Sequence, residues 1–302
     1  GLDLQGGSYL LLEVQLDVLY KEELENFSDS IRILARENSS NINKIIVNED
    51  EVQVTFENIN KIDEIKNSFI QLYRGVGIKV DDKNLIIKLD DLYKKTIQDS
   101  AIKQSLEIVR KRIDESGTKE PLIQRSGKKR ILLQLPGVKN PERIKELLGK
   151  TAKLTFHLVD DENTTALKAN IVPFGKMIVA DIYDENTKYL LDKRALVGGE
   201  NLVDAKGSFD QTEGHAVSFR FDTEGAQKFG KITSNNIGNR LAVVLDGVVI
   251  TAPRINSAIT GGSGIITGNF NAQEAADLAV LLRAGALPAP LEIVEERSVG
   301  AG

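Results

Sequence analysis

The chain has 302 residues, a formal net charge of −5 and no cysteine. Its 41% hydrophobic and 27% charged residues suit a globular protein with a buried core, and a soft expectation of ~150 residues per domain suggests two domains. The composition excludes disulfides, thiol catalysis and cysteine-based zinc sites, offers no basic field for nucleic acid, and contains no run of about 18 apolar residues to span a bilayer.

In chain order, Ser8 to Leu16 reads as a strand and Asp17 to Asn38 as a helix, with Leu19, Leu24, Phe27, Ile31 and Leu34 on one stripe. Strands follow at Lys44 to Asn48 and Glu51 to Phe56. A helix marked by Ile62, Ile65, Phe69 and Leu72 comes next, then strands at Gly77 to Val80 and Asn84 to Leu89. Tyr93 to Ser116 is a long amphipathic helix with Ile97, Ile102, Leu106, Val109 and Ile113 on its apolar face, ended by Gly117. Leu122 to Gln124 and Arg130 to Leu135 form a hairpin around Ser126-Gly127. Asn140-Pro141-Glu142 is a helix start: a capping side chain, proline at the first helical position and an acid in the first turn. Lys153 to Val159 is another strand.

Residues 160–214 change character, with short mixed runs at Met177 to Tyr183 and Tyr189 to Leu191, and read as the start of a mostly β subdomain. Ala216 to Phe221 is a strand and Glu224 to Asn235 a helix. Asp246-Gly247 between Leu241 to Leu245 and Val248 to Thr251 predicts a two-residue turn, because a type I′ turn requires φ > 0 at both central positions. After the glycines at 261, 262 and 264, a short strand is expected at Ile265 to Thr267. A last helix starts with Asn271 as N-cap and Glu274 three residues on, with Gly285 expected in the left-handed position beyond its end, and a final strand runs from Leu291 to Arg297.

The fold class expected from this order is α+β. A βαββαβ order, that of a ferredoxin-like unit, can be traced over 8–80, 85–159 and 216–297. It can also be built once, by pairing the strand after Gly7 with the strand ending at Arg297. That second arrangement uses the 93–116 helix and the 121–136 hairpin, leaves about 17–90 and 160–260 as insertions, and is the one favoured.

No catalytic constellation emerges, so no enzyme and no cofactor are expected. His157 in an apolar strand reads as a structural histidine and His215 as exposed; two distant histidines without cysteine do not make a structural zinc site. Asp160-Asp161-Glu162 reads as a solvated loop rather than a cation site. Thr260-Gly261-Gly262-Ser263-Gly264 lacks the Lys and following helix of a phosphate loop and reads as a flexible hairpin tip. The basic runs Lys128-Lys129-Arg130 and Arg110-Lys111-Arg112 read as solvated faces, with contact to lipid head groups the lesser alternative. At the N-terminus, Gly6 and Gly7 allow tight passage into a strand and Asp3 suits a bond to backbone amides at a turn.

Three stretches carry a family resemblance: Gly1-Leu2-Asp3-Leu4-Gln5-Gly6-Gly7, the centre from Ile113 to Gln124 with Leu132 to Gly137, and Arg240 to Val299 including LRAGALPAP. In this order they resemble the periplasmic region of the SecD/SecF family of protein-export membrane proteins, within the RND superfamily. The resemblance implies a periplasmic domain held between membrane helices on the bacterial inner membrane, and a start at Gly1 rather than Met is expected of a fragment or processed product. It implies a membrane-proximal ferredoxin-like base (1–16, 91–159 and 261–302), an N-terminal α+β insertion (17–90) and a mostly β head (160–260). Gly1, Leu2, Asp3, Leu4, Gly6 and Gly7 become a membrane-edge junction. The implied partners are SecF, the Sec channel, the flanking transmembrane helices and the unfolded preprotein, which the head would hold as proton flow drives export. Phe174, Met177, Ile178 and Phe209 are offered as preprotein contacts because they are apolar side chains in a loop-rich region; core packing is the plainer role for each. A ferredoxin-like regulatory module binding a small ligand stands as the alternative.

Overall fold

In this computed structural model, which describes residues 6–299, the chain opens with β1 (Gly7–Val14), whose period of two sends Leu10, Leu12 and Val14 to one face. There follow α1 (Leu16–Glu37), β2 (Ile42–Val47), β3 (Glu51–Phe56), α2 (Ile62–Leu72), β4 (Gly77–Asp81) and β5 (Asn84–Lys88). Then come α3 (Asp91–Glu115), β6 (Leu122–Ser126), β7 (Arg130–Pro136) and α4 (Pro141–Leu148). The next stretch holds β8 (Leu154–Leu158), α5 (Thr164–Ala169), β9 (Lys176–Ala180), β10 (Lys188–Asp192), β11 (Val197–Gly198) and β12 (Leu202–Asp210). The chain continues through β13 (Gly214–Phe221), α6 (Thr223–Asn235), β14 (Leu241–Leu245), β15 (Val248–Thr251), β16 (Ser263–Phe270), α7 (Ala272–Ala284) and β17 (Leu291–Val299). It is a mixed α/β fold with several antiparallel sheets.

The first sheet has the order β17-β1-β7-β6, with every pair antiparallel. β17 runs beside β1 from Gly7↔Val299 to Val14↔Leu291, so both ends of the described chain leave at one end of this sheet. α3 and α4 cover one face over Leu10, Leu12, Ile131, Leu133 and Leu135, with Ile102, Val109, Ile113, Ile144 and Leu148 supplied by the helices. Each fully buried side chain of this kind contributes roughly 1.5–3 kcal/mol. Both helices begin where side chains satisfy their free amides: Asp90 accepts from Tyr93 N at 2.9 Å and Asn140 from Arg143 N at 3.2 Å.

A second sheet, β2-β3-β5-β4, is covered by α1 and α2 and has its own core of Leu24, Phe27, Ile31, Val52, Val54, Ile65, Phe69, Leu85 and Ile87. The third unit combines the sheet β11-β8-β14-β15 with the sheet β12-β13-β16, α6 and α7. Four phenylalanines hold it together: Phe156, Phe219, Phe221 and Phe229, with the rings of Phe219 and Phe221 5.1 Å apart and those of Phe221 and Phe229 5.2 Å apart.

Several expectations change. The three βαββαβ runs traced along the chain are not three sheets: β1 lies outside the sheet of β2 to β5, and β13 and β14 belong to different sheets. The boundaries expected at 159/160 and 260/261 cut through packed structure. β8 pairs with β14, β16 pairs with β13, and Ala275, Leu278, Ala279 and Leu282 of α7 sit in the same core as Phe219, so residues 154–284 share one unit. β12 and α5 carry no clean hydrophobic period and were not expected; β12 holds Asp204, Lys206 and Gly207 in its middle. The glycine run at 260–264 is no free hairpin tip: Gly262 O accepts from Phe221 N at 2.8 Å as the chain enters β16. Gly285 does have positive φ, but at φ 106 and ψ 164 it lies outside the left-handed helical region, in a conformation open mainly to glycine.

At the start of β1, a Cβ on Gly7 would lie 2.9 Å from the Leu135 carbonyl oxygen, a backbone atom that cannot move aside without parting β1 from β7. Gly7→Ala is therefore expected to cost about 1–3 kcal/mol, read as a lowered urea midpoint; an unchanged midpoint would show that this strand end yields freely.

Candidate functional site

Two segments connect the first sheet's unit to the unit of residues 154–284: one follows α4 and the other follows α7. They meet at Arg112. This side chain, expected on a solvated face with Arg110 and Lys111, is fully buried in the last turn of α3. Its Nη1 donates to the carbonyls of Leu147 at 2.7 Å and Lys150 at 2.5 Å, and its Nη2 to those of Thr151 at 2.9 Å and Gly285 at 3.0 Å. Helix C-termini leave carbonyls without partners and concentrate negative dipole charge. One planar guanidinium closes the ends of both α4 and α7, a geometry lysine lacks. Burial lowers its pKa to about 10 while the nearby Asp246 acts in the opposite sense, so the group stays charged at neutral pH.

Asp246 completes the joint. It and Gly247 have φ of 49 and 83, as the predicted turn requires. The Asp246 carboxylate accepts from the Thr151 hydroxyl and, at 2.9 Å each, from the amides of Ala152 and Lys153. Leu287 N donates to Thr151 O at 2.9 Å, so the two connecting segments are tied to each other.

His157 behaves as the structural histidine expected. It is buried, with Nδ1 2.8 Å from Asp192 O and Nε2 2.8 Å from Thr155 Oγ1. Burial pushes its imidazole below the ordinary value, against the opposing pull of the Asp192 and Arg194 backbone. The acidic run is neutralised locally: Asp161 pairs with Arg240, which holds its carboxyl below the usual range, and Asp160 lies 3.4 Å from Lys176 Nζ. Lys129 and Arg130 pair with Glu13 at the end of the first sheet opposite Gly7 and Val299, so this basic run faces away from the chain ends.

Of the expected junction motif, Gly1, Leu2, Asp3 and Leu4 lie outside the described residues. Gly6 is described, and its carbonyl accepts from Gly137 N at 2.9 Å beside the β1–β7 pairing that begins at Gly7. The four expected peptide contacts are scattered. Phe174 is exposed in the loop before β9, with the Arg36 guanidinium 3.6 Å from its ring centre. Met177 and Ile178 are half-buried in β9, and Met177 packs on a cluster that includes Val179, Leu191 and Val249. Phe209 is 66% exposed, at the far end of β12. The structure adds neighbours to Phe209 that sequence reasoning missed. Phe209, His215 and Phe270 are in register across β12, β13 and β16, the Phe209 and His215 rings are 5.1 Å apart, and Tyr183 Oη accepts from Asn269 N at 2.7 Å. Tyr183 and Ile182 are themselves exposed. This aromatic ledge stands at the N-terminal end of α7, a helix length from the Arg112 joint. No local signal marks it, because its members come from four separate segments.

The chain was compared with known proteins. Residues 176–289 match the family model described as the SecDF P1 head subdomain, and residues 102–161 match that of the N-terminal part of the P1 domain of protein translocase subunit SecDF. The protein translocase subunit SecD of Rickettsia conorii is 43% identical over 303 residues, covering 99% of this chain and 58% of that protein. A crystal structure of SecDF in a super-membrane-facing form aligns with 99% of this chain and 31% of its own, at TM-score 0.59 and 28% identity. A second structure, of a SecDF described as a membrane component that enhances protein export, covers 65% of this chain and 92% of its own, at TM-score 0.54 and 36% identity. The chain thus spans 58% of the length of the first curated relative it matches.

Replacing Arg112 with Met leaves the carbonyls of Leu147, Lys150 and Gly285 without this donor, Thr151 O keeping its bond from Leu287 N, and is expected to cost about 3 kcal/mol or more, measured by urea unfolding, with Arg112→Lys recovering only part. For His157 the unfolded side chain takes a proton near ~6.5, whereas the folded one resists to lower pH. Its contribution is complete above the ordinary value and is lost as pH falls from there toward the folded value. The urea midpoint should drop on acidification through that window, and the drop should flatten in His157→Asn; parallel profiles would count against this assignment.

Proposed function

This chain belongs to the SecD family of protein translocase subunits, and from that premise we propose that it is the periplasmic region of a Sec translocon subunit that holds emerging preprotein during export. The observation that carries this reading is the match of residues 176–289 to the SecDF head model, together with a separately cored unit there that reaches the rest of the chain through two short connections. On this reading the sheet β17-β1-β7-β6 with α3 and α4 is a ferredoxin-like base. Strand order 4-1-3-2 with helices between the first and second and between the third and fourth strands supports it. Both ends leave from one end of that sheet, as suits a domain held between two membrane helices, with Gly6 and Gly7 at the membrane edge. SecF and the Sec channel are the partners, and proton-carrying groups belong to membrane segments beyond this chain. Among the described residues no helix is long and apolar enough to cross a membrane.

A holder of many unfolded sequences needs an adaptable apolar surface rather than a sharp pocket. Phe209 and Tyr183, exposed at the far end of the head, supply aromatic area with little side-chain entropy to lose, whereas Met177 is committed to packing. The reading is tested by titrating the chain with a labelled, unfolded secretory precursor, using the folded precursor as control. Selective binding of the unfolded form is expected, weakened roughly tenfold, ~1.4 kcal/mol, by Phe209→Ser combined with Ile182→Ser. Equal binding of folded and unfolded forms, or none to either, would overturn it.

A further inference from the structure

α1 has two opposite faces with different partners. Leu24, Phe27, Ile31 and Leu34 point into the core it shares with β3, β5 and α2. Glu22, Asp29 and Arg36 follow at seven-residue spacing, which places them on one stripe about half a turn away from the buried one. Each of the three meets the unit of residues 154–284 or the segment that enters it. Glu22 Oε1 lies 3.4 Å from Lys153 Nζ, Asp29 Oδ1 lies 2.8 Å from Lys193 Nζ, and Arg36 sits over the Phe174 ring at 3.6 Å. The backbone behind these partners is itself held, since Lys193 N donates to Gly175 O at 2.8 Å, next to Phe174.

We infer that the outer face of α1 is a docking face for the head, and that the unit built from residues 17–90 serves to hold the head reversibly in one bearing on the base. Three observations argue for reversibility. The partners are exposed, with Asp29 at 36% and Lys193 at 50%, so these ion pairs belong to the class that adds little stability and is screened by salt. The clusters on the two sides, one around Phe27 and Phe69 and one around Phe156 and Phe219, have no member in common, so parting the faces uncovers neither core. The tight contacts of the head to the rest of the chain lie elsewhere, at Arg112 and Asp246, where the chain crosses. A firm joint and a weak, charged rest at a distance from it make an arrangement in which small changes in charge select the head's position. Ile33, exposed at 52% on the same stripe, is an apolar side chain left for that contact face.

The test uses the whole chain, whose lack of cysteine allows two spin labels, at Asn67→Cys on α2 and Lys206→Cys on β12, with no background. Pulsed electron resonance should give one short distance at low salt. Asp29→Lys with Arg36→Glu, or roughly 1 M salt, should add a second, longer population. Lys193→Asp added to Asp29→Lys should return the distribution toward the single short distance, a rescue that general destabilisation cannot produce. A single distance that ignores salt and both charge reversals overturns the inference, as does a second population that the charge swap fails to reduce. Circular dichroism of each variant separates loss of docking from loss of folding.

Discussion

A buried guanidinium with four carbonyl partners is the interaction on which the arrangement of this chain depends. Arg112 comes from α3, in the unit of the first sheet, and its partners lie on the two segments that lead to and from the unit of residues 154–284. Those carbonyls are left over where α4 and α7 end, so they need donors wherever they are buried. Apolar packing could bring the helices together but could not fix where their ends stop. Four charge-assisted bonds from a single rigid fork do both, and they make the two crossings one structure. Asp246 repeats the logic with opposite charge, taking the amides of Ala152 and Lys153 that the first crossing leaves free.

Around that joint the chain is divided by its cores. The cluster over β1 and β7, the cluster between α1 and β3, and the phenylalanine cluster of residues 154–284 each fill one unit. The first and third are also joined by a smaller buried cluster of Leu147 from α4, Ala152, and Val280 and Leu281 from α7, so parting these two units would expose apolar surface. α3 binds the first two: Ile102 and Val109 belong to the sheet unit, while Tyr93 and Ile97 at its other end pack on the core of α1 and α2. The N-terminal unit is thus fixed to the first sheet's unit by a continuous helix, while the outer face of α1 meets residues 153–193 through exposed charges and a cation–π contact. The strength of each boundary follows from what is buried there.

The aromatic ledge of the head has a related origin. Phe209, His215 and Phe270 share the face that carries Val217 and Phe219 further along, and α7 covers that face from Ala275 to Leu282. At its N-terminal end the helix stops covering the sheet, and side chains that would otherwise be core stand open, Phe209 most of all. The start of α7, set by the Asn271–Glu274 capping box, therefore decides how much apolar surface this end of the sheet exposes.

The sequence by itself determined most of the elements and the family. Helices with strong caps, such as those starting at Asn140 and Asn271, and the turn at Asp246-Gly247 were legible because their signals are local: a side chain three residues from the amide it satisfies, or a required sign of φ. The stripe of α1 was legible for the same reason. Hidden were β12, whose polar interior breaks the period of two, the extent of the unit of residues 154–284, which depends on β8 finding β14 and β16 finding β13, and the pairing of Phe209 with His215 and Phe270. Arg112 is the clearest case. In the sequence it is the third member of a basic run, and nothing local separates it from its exposed neighbours. Its role was decided only when two helix ends distant in sequence arrived at the same place, since a buried charge is assigned by the partners that surround it and those partners exist only in the tertiary structure.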